Sequence, residues 1–185
     1  MRLFIAIEIP DDLKKTIGTL RVDIPGARWV PESQIHLTLA FLGEVEESAV
    51  DLLSGELARI QSPAFNLCFS GTGCFPERRR PRVLWIGLEP EPRLQALAAK
   101  VRAAVIACGI PQEERAFSPH ITLARLKLPK SRDVDVFFGQ ERTNRFPSIP
   151  VREFTLFQSR LTQQGAVHIP LRNFQLTAAD AVGTR

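Results

Sequence analysis

Cysteine is scarce in this chain, and its few cysteines are not arranged for cross-linking. There are three, an odd number, and none belongs to a Cys-x-x-Cys pair: Cys68, Cys74 and Cys108. This argues against a disulfide framework and against a structural zinc site built from cysteines. We expect all three to be free thiols that pack as small apolar groups.

Long apolar runs are also absent. No run approaches the roughly 18 residues that a membrane-spanning helix needs. The apolar segment Leu3–Ile7 is interrupted by Glu8 and is followed by no small-residue cleavage site, which is atypical of a signal peptide. We therefore expect a cytoplasmic protein without membrane contacts.

The overall composition is ordinary for a soluble globular protein. Of the 185 residues, 44% are hydrophobic and 24% are charged, and a chain of this length buries a sizeable core. We expect a single domain over residues 1–185. The net charge of +4 at pH 7 favours an anionic partner only weakly.

Two short segments repeat one pattern of histidine, apolar residue, threonine, apolar residue and alanine. They are His36-Leu37-Thr38-Leu39-Ala40 and His120-Ile121-Thr122-Leu123-Ala124. Because side chains alternate between the two faces of a strand, His36 and Thr38 are predicted to share one face, and so are His120 and Thr122. The chain has only three histidines, and two of them occupy this repeat.

The elements around the two motifs also repeat. Each motif follows a predicted strand and a predicted helix: the strand 2–9 and a helix from 11 before the first, the strand 83–88 and a helix from 90 before the second. A further helix is predicted at about 46–60. The histidines are 84 positions apart, close to half the chain. This indicates two lobes related by a pseudo-twofold axis, which would bring both motifs to one cleft.

Two histidines and two hydroxyls facing one substrate suit phosphodiester chemistry. With an ordinary pKa near 6.5, one imidazole can accept a proton while the other donates one. The threonines can hydrogen-bond the phosphoryl oxygens. Two alternatives stay open: the histidines are interior strand residues, or they bind a metal together with remote carboxylates, since neither motif contains a carboxylate.

The chain resembles the 2H phosphoesterase superfamily, and within it the bacterial and archaeal RNA 2′,3′-cyclic phosphodiesterases, also called 2′-5′ RNA ligase-like proteins. The segments that carry the resemblance are 2–7, 36–43, 81–87 and 118–125. It implies an α+β fold in which two intertwined lobes of antiparallel sheets line a central cleft, with the helices outside. It also implies a monomer that hydrolyses RNA 2′,3′-cyclic phosphate ends to 2′-phosphates without a metal or cofactor. Reverse 2′-5′ ligation is the same chemistry run backwards.

The resemblance also implies residue roles. His36 would be the proton donor and His120 the proton acceptor, while Thr38, Thr122 and Arg125 would bind the phosphate. An RNA end-binding module with incidental catalysis, or a phosphodiesterase for another cyclic nucleotide or a 2′-5′ oligonucleotide, is the alternative.

Arg125 and four further residues are assigned more loosely. Strict alternation places Arg125 and Phe41 on the faces opposite the histidines, so Arg125 reaches the cleft only if the strand ends, twists or bulges near Ala124. Phe41 matches an aromatic residue that follows the first motif in similar proteins, and it either stacks on a base or is a core residue. Arg78 and Arg80, in a basic loop, are candidate RNA contacts. His168 is expected to be an ordinary strand histidine, at a position where similar proteins often carry an aromatic residue.

Overall fold

The computed structural model describes residues 1–127, 131–138, 146–163 and 165–178. Its strands and helices are, in chain order, β1 (Arg2–Glu8), α1 (Asp11–Gly18), β2 (Ala27–Trp29), β3 (His36–Glu44), α2 (Val50–Ala58), β4 (Phe65–Leu67), β5 (Phe69–Phe75), β6 (Val83–Leu88), α3 (Pro92–Ala107), β7 (His120–Leu126), α4 (Ser131–Phe138), β8 (Ile149–Val151), β9 (Glu153–Thr162) and β10 (Gly165–Gln175). None of the helices within these ranges has the length and apolar character needed to cross a bilayer.

Two four-stranded antiparallel sheets form the framework, in the orders β10-β9-β1-β3 and β2-β7-β6-β5. The C-terminal hairpin β9-β10 completes the sheet begun by β1, whereas β2, from the N-terminal part, extends the other sheet. Strands from both ends of the chain therefore tie the two sheets together. The predicted α+β class with antiparallel sheets is confirmed.

Strand β1 is central in its sheet, between β9 and β3, and it is buried on both faces. Leu3, Ile5 and Ile7 alternate into the main hydrophobic core. On the opposite face, Phe4 and Ala6 form a second small cluster with Phe157 of β9. Apolar residues on both faces of β1 allow other side chains to pack against the strand from both sides.

The predicted order of strand, helix and motif strand occurs twice, as β1-α1-β3 and as β6-α3-β7. In α3, the Glu91 carboxylate caps the start by accepting from the Arg93 N–H at 3.0 Å. The predicted helix 46–60 is shorter than expected: Glu46 has extended backbone angles, Glu47–Ala49 form a 3₁₀ turn, and α2 ends at Ala58.

Candidate active site

Each motif strand contains a β-bulge at the same position. Along β1 the partners in β3 pass from Ala40 to Thr38, so Leu39 has no directly paired residue. Along β6 the partners in β7 pass from Ala124 to Thr122, which leaves Leu123 in the same situation. An inserted residue of this kind reverses the alternation of the side chains that follow it.

The bulges turn Phe41 and Arg125 toward the cleft. Leu39 and Ala40 are both buried, and the next residue, Phe41, is 66% exposed. The burial pattern of β7 repeats that of β3 through Arg125. Strict alternation was therefore wrong for both residues. The condition stated for Arg125, a bulge near Ala124, is met.

Both motif strands contribute to one cavity of about 340 Å³. His36, Thr38 and Phe41 line it from β3, while Thr122 and Arg125 line it from β7. His120 is not among the lining residues, although it precedes Thr122 by two positions on the same half-buried face of β7. The cavity thus joins most of the predicted site residues, with His120 beside it.

The His36 ring is fixed by a backbone carbonyl two residues earlier. Its Nδ1 lies 2.6 Å from the carbonyl oxygen of Gln34, and since a carbonyl only accepts, Nδ1 carries the proton and Nε2 is left for a substrate. Burial lowers the pKa of His36 from 6.5 to about 4, opposed by the Gln34 hydrogen bond and assisted by the charges of His168 and Lys14. His36 is therefore neutral at pH 7 in the free protein.

The His120 ring is held in the same way. Its Nδ1 donates to the Ser118 carbonyl at 2.7 Å. The ring packs edge-on against Phe75 at 4.8 Å and lies 6.3 Å from Trp85, both distances being between ring centroids. Burial lowers the pKa of His120, opposed by the Ser118 hydrogen bond and assisted by the charges of Arg115 and Arg125.

A glycine slot supports the aromatic wall behind His120. A Cβ atom at Gly73 would lie 2.1 Å from Cη2 of Trp85, and one at Gly87 would lie 3.2 Å from Cζ3 of the same ring. The indole therefore packs directly on backbone that only glycine leaves accessible. This places Trp85 between the slot and the catalytic candidate His120.

The cavity edge near Arg125 is strongly basic. Arg28 of β2 is its direct cross-strand partner, and both side chains are exposed. No carboxylate of the described residues forms an ion pair with either guanidinium. Like charges directly opposite each other destabilise a sheet, so an anion bound there would be stabilising.

Arg78 and Arg80 do not line the cavity. Both are exposed in the loop between β5 and β6, and the guanidinium carbon of Arg78 lies 4.2 Å from the centroid of the Phe138 ring. The loop follows Phe75, which contacts His120. The two arginines therefore lie outside the cavity, on the loop that leaves Phe75.

His168 lies on strand β10, as expected of a strand histidine, but its surroundings were not predicted. Its ring lies 5.2 Å from the ring of His36, and it lines the same cavity. Arg2 also lines the cavity and was not singled out from the sequence. Alternation predicts which side chains of a strand share a face, but not which strands curl over the site.

A metal site has no obvious set of ligands in the described part of the chain. There, no group of three or more histidine, cysteine, aspartate or glutamate side chains is placed to hold an ion. Metal independence itself stays a prediction for experiment.

Comparison with known proteins identifies the family. The profile described as the 2′-5′ RNA ligase superfamily matches residues 9–162. The chain belongs to the 2′-5′ RNA ligase superfamily. This superfamily member is 39% identical over 188 residues to a protein from Thermus thermophilus, covering 95% of this chain and 90% of the relative. It is 36% identical over 183 residues to one from Escherichia coli, covering 95% and 97%. Both relatives are named RNA 2′,3′-cyclic phosphodiesterase.

Solved structures give the same assignment for this superfamily member. E. coli LigT complexed with 3′-AMP superposes with a TM-score of 0.76 at 32% identity, covering 95% of this chain and 98% of that one. A Thermus thermophilus structure, TT0787, gives a TM-score of 0.72 at 35% identity, covering 96% and 99%. The family suggested by the paired motifs is therefore confirmed.

Proposed function

We propose that this chain hydrolyses RNA 2′,3′-cyclic phosphodiester ends to 2′-phosphomonoesters by paired-histidine acid-base catalysis. The observation that supports the proposal is the duplicated site: two histidine-threonine strands have the same bulge, and His36, Thr38 and Thr122 line one cavity, with His120 two residues before Thr122 on the same strand face. The names of full-length relatives support the substrate class.

The proposed reaction is an in-line displacement at phosphorus. His120 accepts a proton from water as the water oxygen bonds to phosphorus, and His36 donates its proton to O3′ as the P–O3′ bond breaks. The products are a 2′-phosphate and a free 3′-hydroxyl. Thr38, Thr122 and Arg125 stabilise the phosphoryl oxygens, on which negative charge is concentrated. Ligation would use the 5′-hydroxyl of a second RNA in place of water: its proton passes to His120, its oxygen bonds to phosphorus and the P–O3′ bond breaks, which leaves a 2′-5′ linkage and a free 3′-hydroxyl.

In the free protein both histidines are favoured in the neutral form, so a charged proton donor has to arise when the substrate binds. Burial favours the neutral form of both imidazoles. A phosphodiester anion between them raises the pKa of each. Because the His36 ring is more deeply buried than the His120 ring, its imidazolium gives up a proton more readily once it forms. We therefore propose that substrate binding itself charges the proton donor.

The wider surface suits RNA. Phe41 is exposed at the cavity and offers a face on which a terminal base can stack. Arg78 and Arg80 add positive charge outside the cavity, where they can contact the phosphate backbone. We propose both as RNA contacts. A monomeric state and a cytoplasmic location stay predictions, for light scattering and cell fractionation to test.

Product analysis tests the proposed function. The protein is incubated with an oligoribonucleotide ending in a 2′,3′-cyclic phosphate, in the presence of a chelator, and the end group is assigned by ³¹P NMR. We expect a 2′-phosphate. A 3′-phosphate, no turnover, or turnover that requires an added divalent ion would contradict the proposal, and faster cleavage of a 2′-5′ oligonucleotide would favour the alternative substrate.

An RNA end-binding module is the rival from another class. Under the proposed function, His36→Ala and His120→Ala leave RNA affinity largely intact and abolish turnover. If the parent protein shows no turnover and both variants lose affinity, the chain is a binding module instead.

A further inference from the structure

The third histidine of the chain contacts the proposed proton donor. His168 lies on β10 and His36 on β3, at opposite edges of one sheet, yet their ring centroids are 5.2 Å apart at an interplanar angle of 77°. Both rings also pack on Phe4, at 4.9 Å for His36 and 4.7 Å for His168. The sheet is therefore curved enough to bring its two edges together over Phe4.

Gln34 fixes this arrangement from both sides. Its backbone carbonyl accepts the Nδ1 proton of His36. Its side-chain amide donates to the carbonyl of Ala166, two residues before His168 on β10. One residue thus orients the His36 ring and ties the strand that carries His168 to it, so the contact between the two imidazoles is a built feature of the fold.

We propose that His168 is a positioning residue for His36 and that only one of the two imidazoles is charged at a time. Two imidazolium ions this close would repel each other, so protonation of one opposes protonation of the other. The importance of this pair for catalysis rests on the proposed function; the restriction to one charge does not. Only when His168 is neutral can His36 become the charged donor.

Other charges also face His36 and must be separated from the effect of His168. They are Lys14 from α1, which lowers the pKa of His36; Glu8, its cross-strand partner on β1; and Arg2 and Arg125, which line the cavity. Lys14 is partly neutralised by Asp11, whose carboxylate it contacts at 3.1 Å. His168 differs from these groups in being a second imidazole, and burial lowers its pKa as it lowers that of His36.

Imidazole NMR tests the proposal without relying on activity. The chain has three histidines, so each can be followed through a pH titration in the full-length protein. In His168→Phe, which keeps an aromatic ring on Phe4, we expect the midpoint of His36 to rise by about 0.6 pH unit or more. That is the shift from two unit charges about 5 Å apart even at the dielectric constant of water.

Two controls make the result decisive. The His120 titration should be unchanged in His168→Phe, and Lys14→Met should move the His36 midpoint by less. If His168→Phe disturbs the His120 signal, His168→Gln replaces it as the test variant. An unchanged His36 midpoint in the variant that leaves His120 undisturbed would overturn the proposal, whatever the RNA assays show. If the proposed function also holds, the alkaline limb of kcat moves to higher pH with KM unchanged.

Discussion

The buried position of His36 predicts a specific dependence of stability on pH. Its pKa falls from 6.5 in the unfolded chain to about 4 in the folded protein. The unfolded state therefore binds a proton more readily, and stability is lost as the pH falls from above 6.5 toward 4. One pKa unit corresponds to about 1.4 kcal/mol, so the full shift amounts to roughly 3 kcal/mol, of which about 2 kcal/mol is lost between pH 7 and pH 5.

The change that isolates this contribution is His36→Gln, which removes the titrating group and keeps a side-chain N–H for the Gln34 carbonyl. Urea unfolding at pH 7 and pH 5 gives the free energy of unfolding of each protein at each pH. We expect the decrease between the two pH values to be about 2 kcal/mol smaller in the variant than in the parent. Thr38→Val, on the same strand but without a titrating group, serves as the matched control. Equal decreases in parent and His36→Gln would refute the electrostatic reasoning.

Three further predictions concern catalysis. Arg125→Gln should lower kcat/KM on a cyclic-phosphate RNA by about 100-fold, whereas Arg80→Gln, outside the cavity, should mainly raise KM, and more at low salt than at high salt, where screening already weakens the contact in the parent; steady-state kinetics separates them. Gly73→Ala should displace Trp85 and lower kcat by loosening His120, while tryptophan fluorescence reports the moved indole. The pH optimum of kcat/KM should lie below 6.5, because burial lowers the pKa of both histidines, and that of kcat should lie higher, because the bound anion raises both.

The motif faces could be predicted from the sequence because a strand has a fixed period of two. His36 and Thr38 share a half-buried face, and His120 and Thr122 do the same. The bulges could not be predicted, because the residue types at Leu39-Ala40 and Leu123-Ala124 are compatible both with regular strand alternation and with an inserted bulge residue. The second motif did contain an indication of the bulge. Arginine is usually exposed, yet regular alternation places Arg125 on the same strand face as the buried Leu123.

Long-range pairing explains the other misses. The pairing of β9 with β1 could not be predicted, because strand partners are chosen by packing over the whole core rather than by local pattern. His168 reaches His36 only through that pairing and the curvature of the sheet. In the same way, Arg28 faces Arg125 only because β2 joins the other sheet.

The central claim is that the imidazoles of His36 and His120 act as one unit on a single phosphorus atom. Turnover of RNA 2′,3′-cyclic phosphate by His36→Ala, His120→Ala and the double variant tests it most directly. Residues that act together are strongly non-additive, so each single variant should lose several orders of magnitude in kcat and the double variant should be no slower than either. A single variant with parental turnover, or losses that multiply in the double variant, would contradict the account.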